Sequence, residues 1–231
     1  MSYTFELLET KRSHVKTYST KVPPKEEIYD AVWKAWKTSP SKNNAMAYEV
    51  LIWGPDKKAE KEKIHSLCVK SHKSAEDRAV EKDLATKTQQ GKPNPYYEHI
   101  RYNPYLLTIH SRLATPNRFY KRQIEKGHFY DQAFQSYVDR IVDSVAVEVG
   151  LFAQNFTNYI LEKNIDVTYN SCFVRDPKIW NKIGLTTVAQ RPILMITCGY
   201  AERYRIDDLK EERSDDQDVK PNFEDVVKWM E

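Results

Sequence analysis

Apolar positions recur along the chain at two periods, and the changes between them divide it into alternating elements. Ile28, Ala31, Val32, Ala35 and Trp36 fall at helical spacing after the Val22-Pro23-Pro24 step and predict a helix that Pro40 ends. Tyr48-Glu49-Val50-Leu51-Ile52-Trp53 is a run of β-formers bounded by Gly54-Pro55-Asp56, a strand followed by a turn. Tyr105-Leu106-Leu107-Thr108-Ile109 predicts a second buried strand, and Ile193 to Tyr200 the clearest strand of all. Between these two, Phe134, Val138, Ile141, Val142, Val145, Val149, Phe152, Phe156, Tyr159 and Ile160 trace a wide apolar stripe over residues 133–163, a long central helix.

Weaker patterning fills the gaps. Phe5, Leu7 and Leu8 predict a short first helix that ends near Ser13 to Thr20. Residues 57–90 are charged and helix-favouring with sparse apolar contacts at Ile64, Leu67, Cys68, Val80 and Leu84. Residues 89–95 read as a loop. The basic, aromatic stretch 111–131 is a lid or a surface excursion, and Phe223 to Trp229 closes the chain as an amphipathic segment after a charged tail. Helices alternating with separated strands, without hairpin signals, give an α+β or α/β sandwich.

Composition narrows the function classes. At 231 residues the expectation is one domain spanning 1–231 with a substantial core. The 36 Lys and Arg against 33 acids leave a net charge of +3, too small for a nucleic-acid partner, so anion binding must be local. No apolar run reaches membrane-spanning length and no signal pattern opens the chain, so the expectation is a cytoplasmic protein without a membrane partner. Cys68, Cys172 and Cys198 are widely spaced without a CxxC pair, which points to reduced thiols and no metal site; Cys172 and Cys198 are expected to be small buried hydrophobes. None of the six glycines lies in a dinucleotide or P-loop fingerprint.

The candidate chemistry lies in two stretches. Arg12, Ser13, His14 and Lys16 place charge-assisted donors and a hydroxyl within five residues, the donor set phosphate requires. Ser39-Pro40-Ser41-Lys42-Asn43-Asn44 is an amide-rich turn where a helix stops. Read alone, Arg12 and Lys16 are solvated charges and Asn44 a turn former. Neither stretch offers a nucleophile with a base.

Taken in order, these motifs resemble the nitroreductase family of flavin enzymes. The Arg12-Ser13-His14 and Lys16 cluster ahead of Tyr18 is similar to the family's opening. Pro40-Ser41-Lys42-Asn43-Asn44 resembles its Pro-Ser-x-x-Asn turn before a strand, and Asn155-Phe156, Tyr169 to Phe173, and Gly199-Tyr200 fit its later helix, flavin loop and closing strand. The resemblance implies a three-layer α+β sandwich, with a mixed, mainly antiparallel sheet flanked by helices, in an intertwined homodimer that binds FMN between subunits. It implies that Arg12, Ser13, His14 and Lys16 hold the phosphate and ribityl end. Asn44 would reach the ring, with Ser41, Lys42 and Met46 around it. Asn94 would lie at the pyrimidine edge, Tyr169 and Asn170 would lead into the flavin loop, and the Ser171 backbone N–H would face N5. Arg213 or Lys220 would supply a last phosphate cation.

The implied activity passes hydride from NAD(P)H through flavin N5 to a small electron-poor acceptor, a nitroaromatic or quinone, with no catalytic side chain required. Met46 and Tyr48 stand where many members have Gln and Trp, and Ser171-Cys172 where many have Glu-Gly. These departures leave room for a specialised flavin reaction, reductive dehalogenation or flavin fragmentation, or for a flavin-binding protein without catalysis.

Overall fold

The computed structural model describes residues 15–41, 44, 46–71, 98–111, 122, 125–127, 131–188, 190–204 and 223–228. The elements are β1 (Val15–Tyr18), α1 (Lys25–Thr38), β2 (Tyr48–Trp53), α2 (Lys58–Ser71), α3 (Glu98–Tyr102), β3 (Tyr105–Ser111), α4 (Asp131–Glu162), β4 (Asp166–Asn170), α5 (Pro177–Lys182), β5 (Pro192–Gly199), β6 (Ala201–Tyr204) and α6 (Phe223–Val226).

Strands β2, β3, β5 and β4, in that order, form a four-stranded sheet in which every described pairing is antiparallel. Alternation along the strands divides the side chains between two faces. Leu107, Ile109, Val167, Ile196 and Cys198 pack on one face against Ile28, Ala31 and Ala35 of α1 and Val149, Phe152 and Phe156 of α4. Leu106 and Met195 pack on the other, against Ile64, Leu67 and Cys68 of α2, Ile100 of α3 and Trp180 of α5. The result is the expected three-layer α+β sandwich.

The strong patterns hold at their places: α1, β2, β3, α4 and β5 are the elements the apolar spacing predicts. Three strands carry no such signal. β1 and β6 pair with each other as a short ribbon, tied to the main sheet where the Val15 N–H donates to Thr168 Oγ1 (2.7 Å) and where the Tyr18 hydroxyl lies 2.8 Å from Thr197 Oγ1. β4 forms over Asp-Val-Thr-Tyr-Asn because Tyr169 and Val167 reach α4 while its backbone pairs with β5. Trp36 departs from the expected core stripe and is about half exposed (49%). The helix over 58–71 is less solvated than its charge suggests: Ile64, Leu67, Cys68 and even Lys61 are buried. The predicted first helix, the 89–95 loop and most of the 111–131 excursion lie outside the described residues; Arg122 and Glu125 to Gly127 are exposed.

Candidate active site

The Ser41 hydroxyl ties the turn after α1 to α4. Ser41 Oγ accepts the Met46 N–H (2.8 Å) and donates to Glu148 Oε2 on α4 (2.9 Å), while the Ser41 carbonyl accepts the Asn44 N–H (3.0 Å). Both Asn44 (φ 53°) and Met46 (φ 44°) adopt the left-handed backbone region. Asn tolerates it, whereas a residue such as Met costs on the order of 1 kcal/mol or more there, so the contacts around the turn must hold it. Asn44 is exposed, and Ser41 and Met46 are half-buried.

Two residues along, Tyr48 opens β2 with its ring tilted on Phe152 of α4 (centroids 5.5 Å apart, 53° between planes). Its hydroxyl is buried without a hydrogen-bond partner among the described residues. Burial first, and then the negative charge of Glu148, push its pKa up to about 12, so it remains a donor at any ordinary pH. The Asn44 amide, exposed on the 41–46 turn, is the group here that a planar polar ligand would engage.

The second part of the site follows β4. The Tyr169 hydroxyl donates to the Ala153 carbonyl (2.9 Å) and contacts Thr157 Oγ1, both on α4. Asn170 is buried, and its Oδ1 accepts the Cys172 N–H (2.7 Å), which closes the chain into a tight turn as it leaves the sheet. Ser171 and Cys172 are exposed, and the Ser171 carbonyl accepts from Arg175 (3.2 Å). Cys172 is therefore not the buried hydrophobe expected from its type; the turn after Asn170 directs it outward while Phe173 takes the buried place. Cys198 is fully buried, and burial pushes its thiol pKa well up.

Strand order sets the relation between these two parts. The 41–46 turn feeds β2 and the 170–172 turn ends β4, at opposite edges of the sheet, three strand spacings or about 14 Å apart. The strip of α4 from Glu148 to Thr157 bridges them, a rise of about 13 Å. Asn155, of the Asn155-Phe156 pair, donates to Ser39 Oγ (3.0 Å) and anchors the C-terminal end of α1 to α4.

Of the other expected site residues, Lys16 lies within β1 and its backbone alone is described. Arg12, Ser13, His14, Lys42, Asn94, Arg213 and Lys220 lie outside the described residues. Glu148 was not among the expected residues. A signal for it exists, because a carboxylate at position 148 interrupts the apolar stripe between Val145 and Phe152, where solvent cannot serve it.

A four-stranded antiparallel sheet between two helical layers, with a polar turn at one sheet edge and an exposed turn at the other, defines an α+β three-layer protein. The chain belongs to the nitroreductase family, whose profile matches residues 8–200. Among solved structures it is similar to a candidate NAD(P)H:FMN oxidoreductase of Staphylococcus epidermidis (17% identity over 100% of this chain and 97% of that one, TM-score 0.63). It is also similar to a candidate nitroreductase of Exiguobacterium sibiricum in complex with FMN (15%, 100% and 98%, 0.63). A third is iodotyrosine deiodinase bound to FMN and 3-iodo-L-tyrosine (16%, 95% and 98%, 0.58). No curated protein matches the sequence.

Proposed function

We propose that the protein is an FMN-dependent oxidoreductase that carries hydride from NAD(P)H to a small electron-poor acceptor such as a nitroaromatic or quinone, working as a homodimer in the cytoplasm. The observation that carries this is the 41–46 turn: the family's Pro-Ser-x-x-Asn motif, folded here with Asn44 exposed, Ser41 fixed and two residues in the left-handed region. The exposed Asn44 amide offers both a donor and an acceptor, the pairing that the polar edge of a flavin ring would engage.

FMN, when bound, would supply the hydride chemistry at N5. The chain's own residues would bind and orient it. Arg12, Ser13, His14 and Lys16, with Arg213 or Lys220, would neutralise the phosphate; Ser41, Lys42, Asn44, Met46 and Asn94 would frame the ring; and Tyr169, Asn170 and the Ser171 N–H would form the opposite wall. Two observations support a site shared between subunits. The 41–46 and 170–172 turns lie at opposite edges of one protomer's sheet. Val147 (64% exposed) and Leu151 (42%) on α4 leave an apolar strip open to a second copy.

Iodotyrosine deiodinase among the structural neighbours favours a second reading, reductive dehalogenation on the same flavin. Purified protein should be yellow, release FMN on denaturation, sediment as a dimer, and bleach under anaerobic NAD(P)H. Arg12→Ala should weaken FMN retention at least tenfold. Colourless protein that takes up no added FMN would refute the assignment, bound flavin that never bleaches would leave a binding protein, and iodide release from iodotyrosine would select the second reading.

A further inference from the structure

We propose that Glu148 is the positioning residue of the flavin site, holding the 41–46 turn against the ring through Ser41; this rests on the FMN assignment above. The hydrogen-bond polarity is forced. The Met46 N–H can only donate, so Ser41 Oγ accepts it and its single proton is left for Glu148 Oε2. Each bond therefore depends on the next, and the carboxylate is the fixed end of the series.

The fixed end is rigid because of where it sits. Glu148 is 5% exposed on α4, between Val145 and Phe152, both buried in the core, and Val149 beside it is buried as well. A turn with Asn44 and Met46 both at positive φ relaxes unless something outside it sets the geometry. Within the turn, the Ser41 carbonyl accepts the Asn44 N–H. Met46, two residues before β2, is tied back to Ser41 by the hydroxyl that Glu148 orients. An apolar residue at this position would pack as well but could not accept the Ser41 proton.

The test is FMN affinity, read by quenching of flavin fluorescence and by the visible spectrum of the bound flavin, in the full chain. Glu148→Ala and Ser41→Ala should each raise the dissociation constant about tenfold and alter the flavin bands alike. The double variant should be no more than about threefold weaker than either single, because the same series is broken once. Glu148→Gln should stay within about threefold of wild type, because its amide oxygen still accepts the Ser41 proton; loss of packing alone would not be rescued in this way. If Glu148→Ala fails to fold, Glu148→Leu, which fills the site but cannot accept the Ser41 proton, takes its place: weakening that Glu148→Gln does not show supports the role, and wild-type affinity in Glu148→Leu overturns it. Wild-type protein that binds FMN while Glu148→Ala and Ser41→Ala bind it equally well overturns the role of Glu148 alone, as do single effects that multiply in the double variant. Wild-type protein that takes up no FMN overturns the flavin assignment and this role with it.

Discussion

At the scale of single residues, the side chains that matter most here are polar groups buried by their neighbours. His110 is fully buried on β3, edge-on to Trp180 with ring centroids 5.1 Å apart, and its Nε2 lies 2.9 Å from Thr108 Oγ1. Trp53 Nε1 donates to the same oxygen at 3.0 Å, which ties β2, Thr108 and His110 into one buried polar cluster. Burial pulls its pKa down to about 4, against a smaller opposing pull from the Gln190 backbone. The unfolded chain, with an ordinary histidine, binds the proton between about pH 6.5 and 4 while the folded chain does not. Stability from this group is therefore complete above pH 6.5 and falls as the pH drops towards 4, by up to about 3 kcal/mol. Urea midpoints measured between pH 4.5 and 7 should rise with pH, and His110→Gln should flatten that rise; an unchanged slope in the variant would remove His110 as its source. None of this is legible in the sequence, where His110 is one histidine among six. The turn at Ser41 and Asn44 was legible, because its backbone bond, from the Asn44 N–H to the Ser41 carbonyl, spans three residues.

At the scale of elements, legibility followed the strength of the pattern. α4 and β5 have continuous apolar stripes that leave no competing assignment, whereas β1, β4 and β6 are short and owe their conformation to partners far away in sequence, as in the Val15 bond to Thr168. α2 shows the same limit in a helix: its charged sequence suggests a solvated surface, yet Lys61 is 2% exposed. Its Nζ donates to the carbonyls of Asn103 (2.7 Å) and Pro104 (2.9 Å), fastening α2 to the turn between α3 and β3, and burial lowers its pKa to about 8. Lys61→Ala leaves a cavity and two carbonyls without their cation, and should lower unfolding free energy by about 3 kcal/mol in denaturant titrations. Lys61→Met keeps the packing and removes the desolvated charge, so it should cost about half as much. Equal costs would show that the hydrogen bonds, and not the buried stem, hold the two elements together.

At the scale of the whole molecule, distant parts of the chain meet at Gly199. A Cβ there would fall 2.6 Å from Pro104 Cδ, 2.8 Å from Pro104 Cγ and 2.8 Å from Tyr18 Cδ1, so β1, the α3–β3 turn and β5 close on one another only over a hydrogen atom. Gly199→Ala should therefore cost about 2–3 kcal/mol by overpacking, seen as a thermal midpoint lower by several degrees; an unchanged midpoint would mean that the three segments part easily. Among the described residues no helix is long and apolar enough to cross a membrane. The sequence by itself determined the elements with strong periodicity, the order of the family motifs and the place of the turn after Pro40, because these depend on residues close together in the chain. Only the tertiary structure decided that the 41–46 and 170–172 turns face opposite sheet edges, that Cys172 points outward, and that Glu148 serves Ser41 across 107 residues. The physical reason is that burial and strand order come from pairings between remote segments, and a buried carboxylate acquires its role only when the fold brings it a donor.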